Sequence, residues 1–187
     1  MIPILESPDI RERTLPISVE TYHWMIENGM VSQRAELIRG VVVEKMSKSS
    51  LHEFLATEIR DCLARALGEG WLVRKEGPLT LRDSEPEPDV SVVKGRNADF
   101  IHSHPHTAAL AVEISVSSEA SDREMIKAYA EAGVEECWLV LAKKQEIERF
   151  SDPEAGAYRK ADCFRSGEVL ISSVLPGVTM EVGKLFP

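Results

Sequence analysis

Two acidic residues stand where a carboxylate is costly unless it has a task. Asp89 follows Pro88 and opens the run DVSVV, so its side chain sits at a strand end, where the backbone is rigid and a cleft is within reach. Glu113 lies inside AALAVEISV, a run apolar on both faces, and an acid there must be paired, protonated or bound to a cation. If the two runs are neighbouring strands, both carboxylates converge on one hard cation, which prefers oxygen ligands. Taken singly, each has a plainer account: Asp89 caps a turn, and Glu113 makes a buried salt bridge.

The elements that must carry them are legible in the spacing. Ser18 caps a helix over VETYHWMIENG that Gly29 stops, and ELIRGVVVEKM is β-branched and strand-like. Ser50 with Glu53 predicts a capping box for a helix in which Leu51, Phe54, Leu55, Ile59, Cys62, Leu63 and Ala66 follow helical spacing up to Gly68 and Gly70. WLVRK, PLTLR and DVSVV read as short strands, and a polar loop around NADFIHSHPHT leads into the central strand AALAVEISV. Ser121 with Glu124 predicts a second capping box, opening a helix through REMIKAYAEA that Gly133 ends, and CWLVLA follows as a buried strand. QEIERF, AYRKADCF and EVLIS read as short strands with turns such as SDPEAG between them. The fold class is α/β or α+β: a mixed sheet with helices packed on it, one domain over residues 1–187 with a loosely ordered start at 1–16.

Composition narrows the function classes. With 187 residues, 43% apolar and 28% charged, the chain is an ordinary globular mixture rather than a disordered or fibrous one. No apolar run approaches the ~20 residues of a membrane helix, and the start MIPILESPDIRERT lacks the basic-then-apolar order of a leader. Cys62, Cys137 and Cys163 form no CxxC pattern and read as small buried hydrophobes in a reducing cytoplasm. A net charge of −9 argues against gripping long duplexes by phosphate neutralisation alone. It leaves room for a basic rim, for which Arg60, Arg74, Lys75, Arg123 and Lys143 are the candidates. His102, His104 and His106 alternate in HSHPH but have no further Cys or His partner nearby, which speaks against zinc. The absence of a GxSxG elbow and of a Gly-rich phosphate loop speaks against a serine hydrolase and a nucleotide-binding fold.

The segments PEPDVSVV and VEISVSSEASDREMIKAYAEAGVEECWLV, flanked by ELIRG from Glu36 and by the terminal LPGVTMEVGKLF, resemble the Uma-two (Uma2) family of restriction-endonuclease-like domains in the PD-(D/E)xK nuclease superfamily. The resemblance implies a mixed β-sheet flanked by helices and an endonuclease that hydrolyses DNA phosphodiester bonds through a metal-activated water. Asp89 and Glu113 would bind Mg2+ or Mn2+, Glu36 would complete the shell, His52 would act as general base or phosphate contact, and Lys127 would supply the positive charge of the motif. In the simplest form of that motif the lysine stands two residues after the glutamate, where this chain has Ser115. The residues themselves leave alternatives open. Lys127 projects nearly opposite the stripe of Met125, Tyr129 and Ala132, as a solvated lysine does. Glu36 reads equally as a strand-end surface charge, and His52, on the inward side with Ile59 and Leu63, as a buried structural histidine. The alternative function is a catalytically inactive nuclease-fold module for binding or regulation, in a homodimer. A metal-dependent hydrolase acting on a smaller phosphorylated substrate is a third.

Overall fold

Serine hydroxyls start the first two long helices by accepting an otherwise unpaired backbone N–H. The computed structural model describes residues 8–186, and these gather into two compact units. One holds the chain up to Lys45 together with Arg82–Glu85; the other holds Met46–Leu81 and the chain from Pro86 onward. Residues 1–7, part of the segment expected to be loose, lie outside the described residues, and from Pro8 the chain forms the short helix α1 (Pro8–Arg11).

In the first unit, Ser18 Oγ accepts from Thr21 N at 3.1 Å and opens α2 (Val19–Glu27), which ends at Asn28 before Gly29 turns left-handed with φ of 67°. The run ELIRGVVVEKM is a hairpin rather than one strand. β1 (Ala35–Ile38) and β2 (Val41–Glu44) pair antiparallel across Arg39 and Gly40, with φ of 52° and 73°. Positive φ at both central residues is what a right-twisting two-residue hairpin needs. Gly40 is required for a second reason: a Cβ there would stand 2.3 Å from the Cβ of Pro16. The Tyr22 hydroxyl donates to the Ala35 carbonyl at 2.9 Å, and His23 Nε2 lies 2.8 Å from the Glu85 carboxylate.

The second unit is built on a six-stranded sheet. Along the chain come α3 (Ser50–Ala66), β3 (Trp71–Lys75), β4 (Val90–Lys94), a 3-10 turn at Asn97–Phe100, β5 (Leu110–Ser115), α4 (Glu119–Glu131), β6 (Glu136–Leu141), β7 (Glu146–Glu154) and β8 (Ala157–Arg165). The hairpin of β9 (Val169–Ile171) and β10 (Thr179–Glu181) and the short α5 (Val182–Leu185) complete it. The strand order is β3-β4-β5-β6-β7-β8; β5 and β6 run parallel, joined through α4, and the other neighbours are antiparallel. This is the mixed sheet with helices that the sequence predicts.

Alternation along the strands divides the core into two layers. Leu110, Val112 and Ile114 of β5 join Val90, Val92, Trp138 and Val140 beneath Leu55, Ala56, Ile59 and Leu63 of α3. Ala111 joins Val93, Cys137, Leu139 and Leu141 beneath Ile126, Ala128 and Tyr129 of α4.

Several expectations need correction. The N-cap of α3 is Ser49, whose Oγ accepts from His52 N at 3.2 Å, so the helix begins one residue before the predicted box, and Leu51 and Phe54 are exposed. The N-cap of α4 is Ser118, which leaves Ser121 inside the first turn. No strand covers 78–82 among the described residues, because Leu79 N and Thr80 N find their acceptors on Pro86 and Pro105 instead. Cys137 is fully buried as expected, Cys62 is half-buried, and Cys163 on β8 is exposed. Among the described residues no helix is long and apolar enough to cross a membrane.

Candidate active site

Pro88 keeps the chain extended as it enters β4, and Asp89 occupies the bend just before the first paired residue. Val90 pairs with Val112 on β5, so one further step of the same antiparallel register sets Asp89 beside Glu113. Both are well buried, at 6% and 9% exposure. β5 has a partner on each side, β4 and β6, which makes it a central strand, and Glu113 stands in the middle of it.

Asp89 is saturated with donors. Its Oδ2 accepts from the Ile114 backbone N–H at 2.8 Å and lies 2.9 Å from His52 Nε2, while Oδ1 accepts from Lys48 Nζ at 2.8 Å. Burial pushes this carboxyl up, but the hydrogen bond and charge of His52, together with Lys48, outweigh burial and hold it below the usual carboxylate range. An ionised Asp89 needs a donor at His52, so the ring donates from Nε2. Its Nδ1 is buried with no hydrogen-bond partner among the described residues. Lys48 lies in the loop before α3 and also reaches Glu76 Oε1 at 3.1 Å. Burial lowers the Lys48 ammonium, and Asp89 and Glu76 more than reverse this, so it titrates above its ordinary value.

Glu113 faces the α4 layer, where its Oε1 accepts from the Tyr129 hydroxyl at 2.5 Å. Asp122, also on α4, accepts from the Ser118 hydroxyl at 2.7 Å and hydrogen-bonds Ser115. Burial raises the Asp122 carboxyl; the two serines partly counter this, and the nearby charge of Asp89 adds to it.

The structure thus brings His52 to Asp89 from among the expected residues and adds Lys48, with Asp122 in the field of Asp89 and His52; Glu113 stands one register step away on β5, its carboxylate held by Tyr129. The structure does not gather Lys127, whose ammonium, 62% exposed, pairs at 2.7 Å with Glu124 on its own helix. Glu36 belongs to the first unit, half-buried on β1 and in register with Val43. Lys48 carries no signal in the sequence, being a lone lysine in a polar loop 41 residues before Asp89. Asp122 had a weak one, four residues after the Ser118 that caps α4.

For a divalent cation, the donor chemistry fits: buried carboxylate oxygens, one of them kept ionised, are what a hard ion takes. Among the described residues no three His, Cys, Asp or Glu side chains stand close enough to hold a metal by themselves. Among the described residues no such cluster forms at His102, His104 and His106 either, and His106 Nδ1 pairs with the Thr80 carbonyl at 2.9 Å.

Comparison with known proteins adds three findings. The model of the Uma2 family, described as "Putative restriction endonuclease", matches residues 19–183. No curated protein matches the chain. Among solved structures, a crystal structure described as a putative nuclease from Anabaena variabilis has the same fold at a TM-score of 0.71 and 16% identity, covering 87% of this chain and 96% of that one.

Proposed function

The chain belongs to the Uma2 family of restriction-endonuclease type, and from that premise we propose that it is a divalent-metal-dependent endonuclease that hydrolyses DNA phosphodiester bonds. The observation that carries this reading is the buried, ionised Asp89 beside Glu113 at the junction of β4 and β5, with a lysine and a histidine on the aspartate. Asp89 and Glu113 would hold Mg2+ or Mn2+. When bound, such a cation acidifies water and offsets charge on the phosphate.

The chain's own residues supply the rest. His52 is a positioning residue: its Nε2–H and the Ile114 amide fix the Asp89 carboxylate from one side. Tyr129 fixes Glu113 in the same way. Lys48 delivers the positive charge that Lys127, tied to Glu124, does not bring to Asp89, and it offsets charge developing on a phosphate oxygen. Asp122, raised by burial, is a better proton acceptor than Asp89 and is suited to take a proton from the attacking water.

The test is plasmid nicking with magnesium or manganese. Asp89→Ala is expected to lower the rate at least about a hundredfold; equal rates in wild type and variant reject the catalytic assignment. One observation favours the non-catalytic module instead: both oxygens of Asp89 are already engaged, and a lysine ammonium stands where a cation would. Calorimetric titration separates the two, because the nuclease binds magnesium more weakly after Glu113→Gln, whereas a module gives no binding in either form.

A further inference from the structure

Two residues beyond Glu113, on the same face of β5, the strand ends at Ser115. There the carboxyl ends of the parallel pair β5 and β6 border a crevice of about 210 Å³, lined by Ser115, Ser117, Glu119, Leu141, Lys143 and Lys144. In open sheets with parallel strands joined through helices, ligands lie beyond the carboxyl ends of those strands. None of the acids placed at the carboxylate site lines this crevice, and Ser115 at its edge connects to that site only through Asp122.

Its lining has the chemistry of an anion site. Lys143 makes neither a hydrogen bond nor an ion pair with a described residue, in contrast to other members of the expected basic rim. Arg123 is held by Glu119 and Glu148, Lys75 by Glu53, and Arg60 by Asp61, while Arg74 spends a donor on the Pro78 carbonyl. Lys144 lies 3.1 Å from Glu119, whose carboxylate is shared with Arg123, so the one acid of the lining is more than neutralised. The Ser117 hydroxyl is likewise without a partner among described residues, and Ser115 hydrogen-bonds Asp122, which is in the field of Asp89. A free ammonium, a second close behind it and a free hydroxyl suit the oxygens of a phosphate group.

We propose that this crevice holds a backbone phosphate of the DNA strand next to the carboxylate site, with Lys143 as its main contact. The inference rests on the nuclease reading above and adds to it a second anchor on the substrate. Ser115 stands two residues, about 7 Å, along β5 from Glu113, so a phosphate in the crevice would be a near neighbour of one at the carboxylate site.

The test uses the whole chain in EDTA, so that binding is read without cleavage, with fluorescence anisotropy of a labelled duplex oligonucleotide over a series of salt concentrations. Lys143→Ala is expected to weaken binding about threefold, equally for unrelated sequences, and to reduce the slope of log affinity against log salt by about one. Lys160→Ala, an exposed lysine paired with Asp152 on the β7–β8 hairpin, is expected to change neither. The proposal is overturned if Lys143→Ala behaves like Lys160→Ala, or if the wild type binds no DNA. Two further outcomes separate it from the catalytic reading. Nicking that depends on Asp89 with unchanged binding by Lys143→Ala removes the crevice alone. Weakened binding by Lys143→Ala with undiminished nicking by Asp89→Ala keeps the crevice and removes the catalytic assignment.

Discussion

Two buried carboxylates in the same sheet, Glu136 and Asp89, have opposite surroundings. Glu136 opens β6 with no exposure at all. Its Oε1 accepts from Trp138 Nε1 at 2.6 Å, and its Oε2 accepts from the Ser173 backbone N–H at 2.6 Å and from the Ser173 hydroxyl. Every one of those donors is neutral, and together they pin the turn that precedes β10. Asp89 is held by a lysine, a histidine and one amide, with Glu113 next in register and Asp122 within its field. Burial alone therefore does not mark a carboxylate as chemical. A site is marked by titratable neighbours whose charges depend on one another.

The largest expected effect tests the Glu136 side. Glu136→Ala strands the indole N–H and the Ser173 amide in the core and should cost roughly 3 kcal/mol of stability by urea unfolding. Nicking per folded molecule should be unchanged; a loss of activity at full folding would show that the two carboxylates are not distinct in kind. On the Asp89 side, Lys48→Met should reduce nicking by about ten- to a hundredfold while magnesium binds at least as tightly, since an ammonium competing for Asp89 has gone. Weaker metal binding in that variant would mean that Lys48 organises the ligands rather than offsetting phosphate charge.

A smaller effect concerns pH. The folded-state carboxyl of Asp89 lies below its ordinary 3.8, so the unfolded chain binds that proton more tightly. Its stabilisation is complete above 3.8 and is lost as pH falls through the lower folded value. Urea midpoints followed into acid should therefore drop more steeply for wild type than for Asp89→Asn, and parallel curves would contradict an ionised Asp89. The smallest effect belongs to Lys127→Ala. An exposed pair with Glu124 three residues away contributes within about 0.5 kcal/mol, and nicking should change less than twofold. If it instead falls as far as in Lys48→Met, the positive charge of the motif belongs to α4 after all.

Much of the frame was legible because its signals are local. The apolar run of CWLVLA, the Ser18 cap and the helical spacing through Ile59 and Leu63 each depend on residues a few positions apart, and each formed as expected. The misses were local too, but competitive. Where adjacent or nearby serines could cap, as at Ser49 and Ser50 or at Ser118 and Ser121, spacing did not decide between them. Arg39 and Gly40 turned an apparent strand into a hairpin because positive φ at two consecutive residues is a backbone choice that β propensity does not register.

The amino-acid order by itself determined that Glu113 lies in an apolar strand and that Asp89 stands at the head of another, since period and flanking proline need no distant partner. Which cation reaches Asp89 was decided by the tertiary structure alone. The loop before α3 carries Lys48 to it across 41 residues, while the phase of α4 turns Lys127 to Glu124 and solvent. Helix phase and loop path are set by how the two core layers pack on the sheet, and no short-range pattern contains that information.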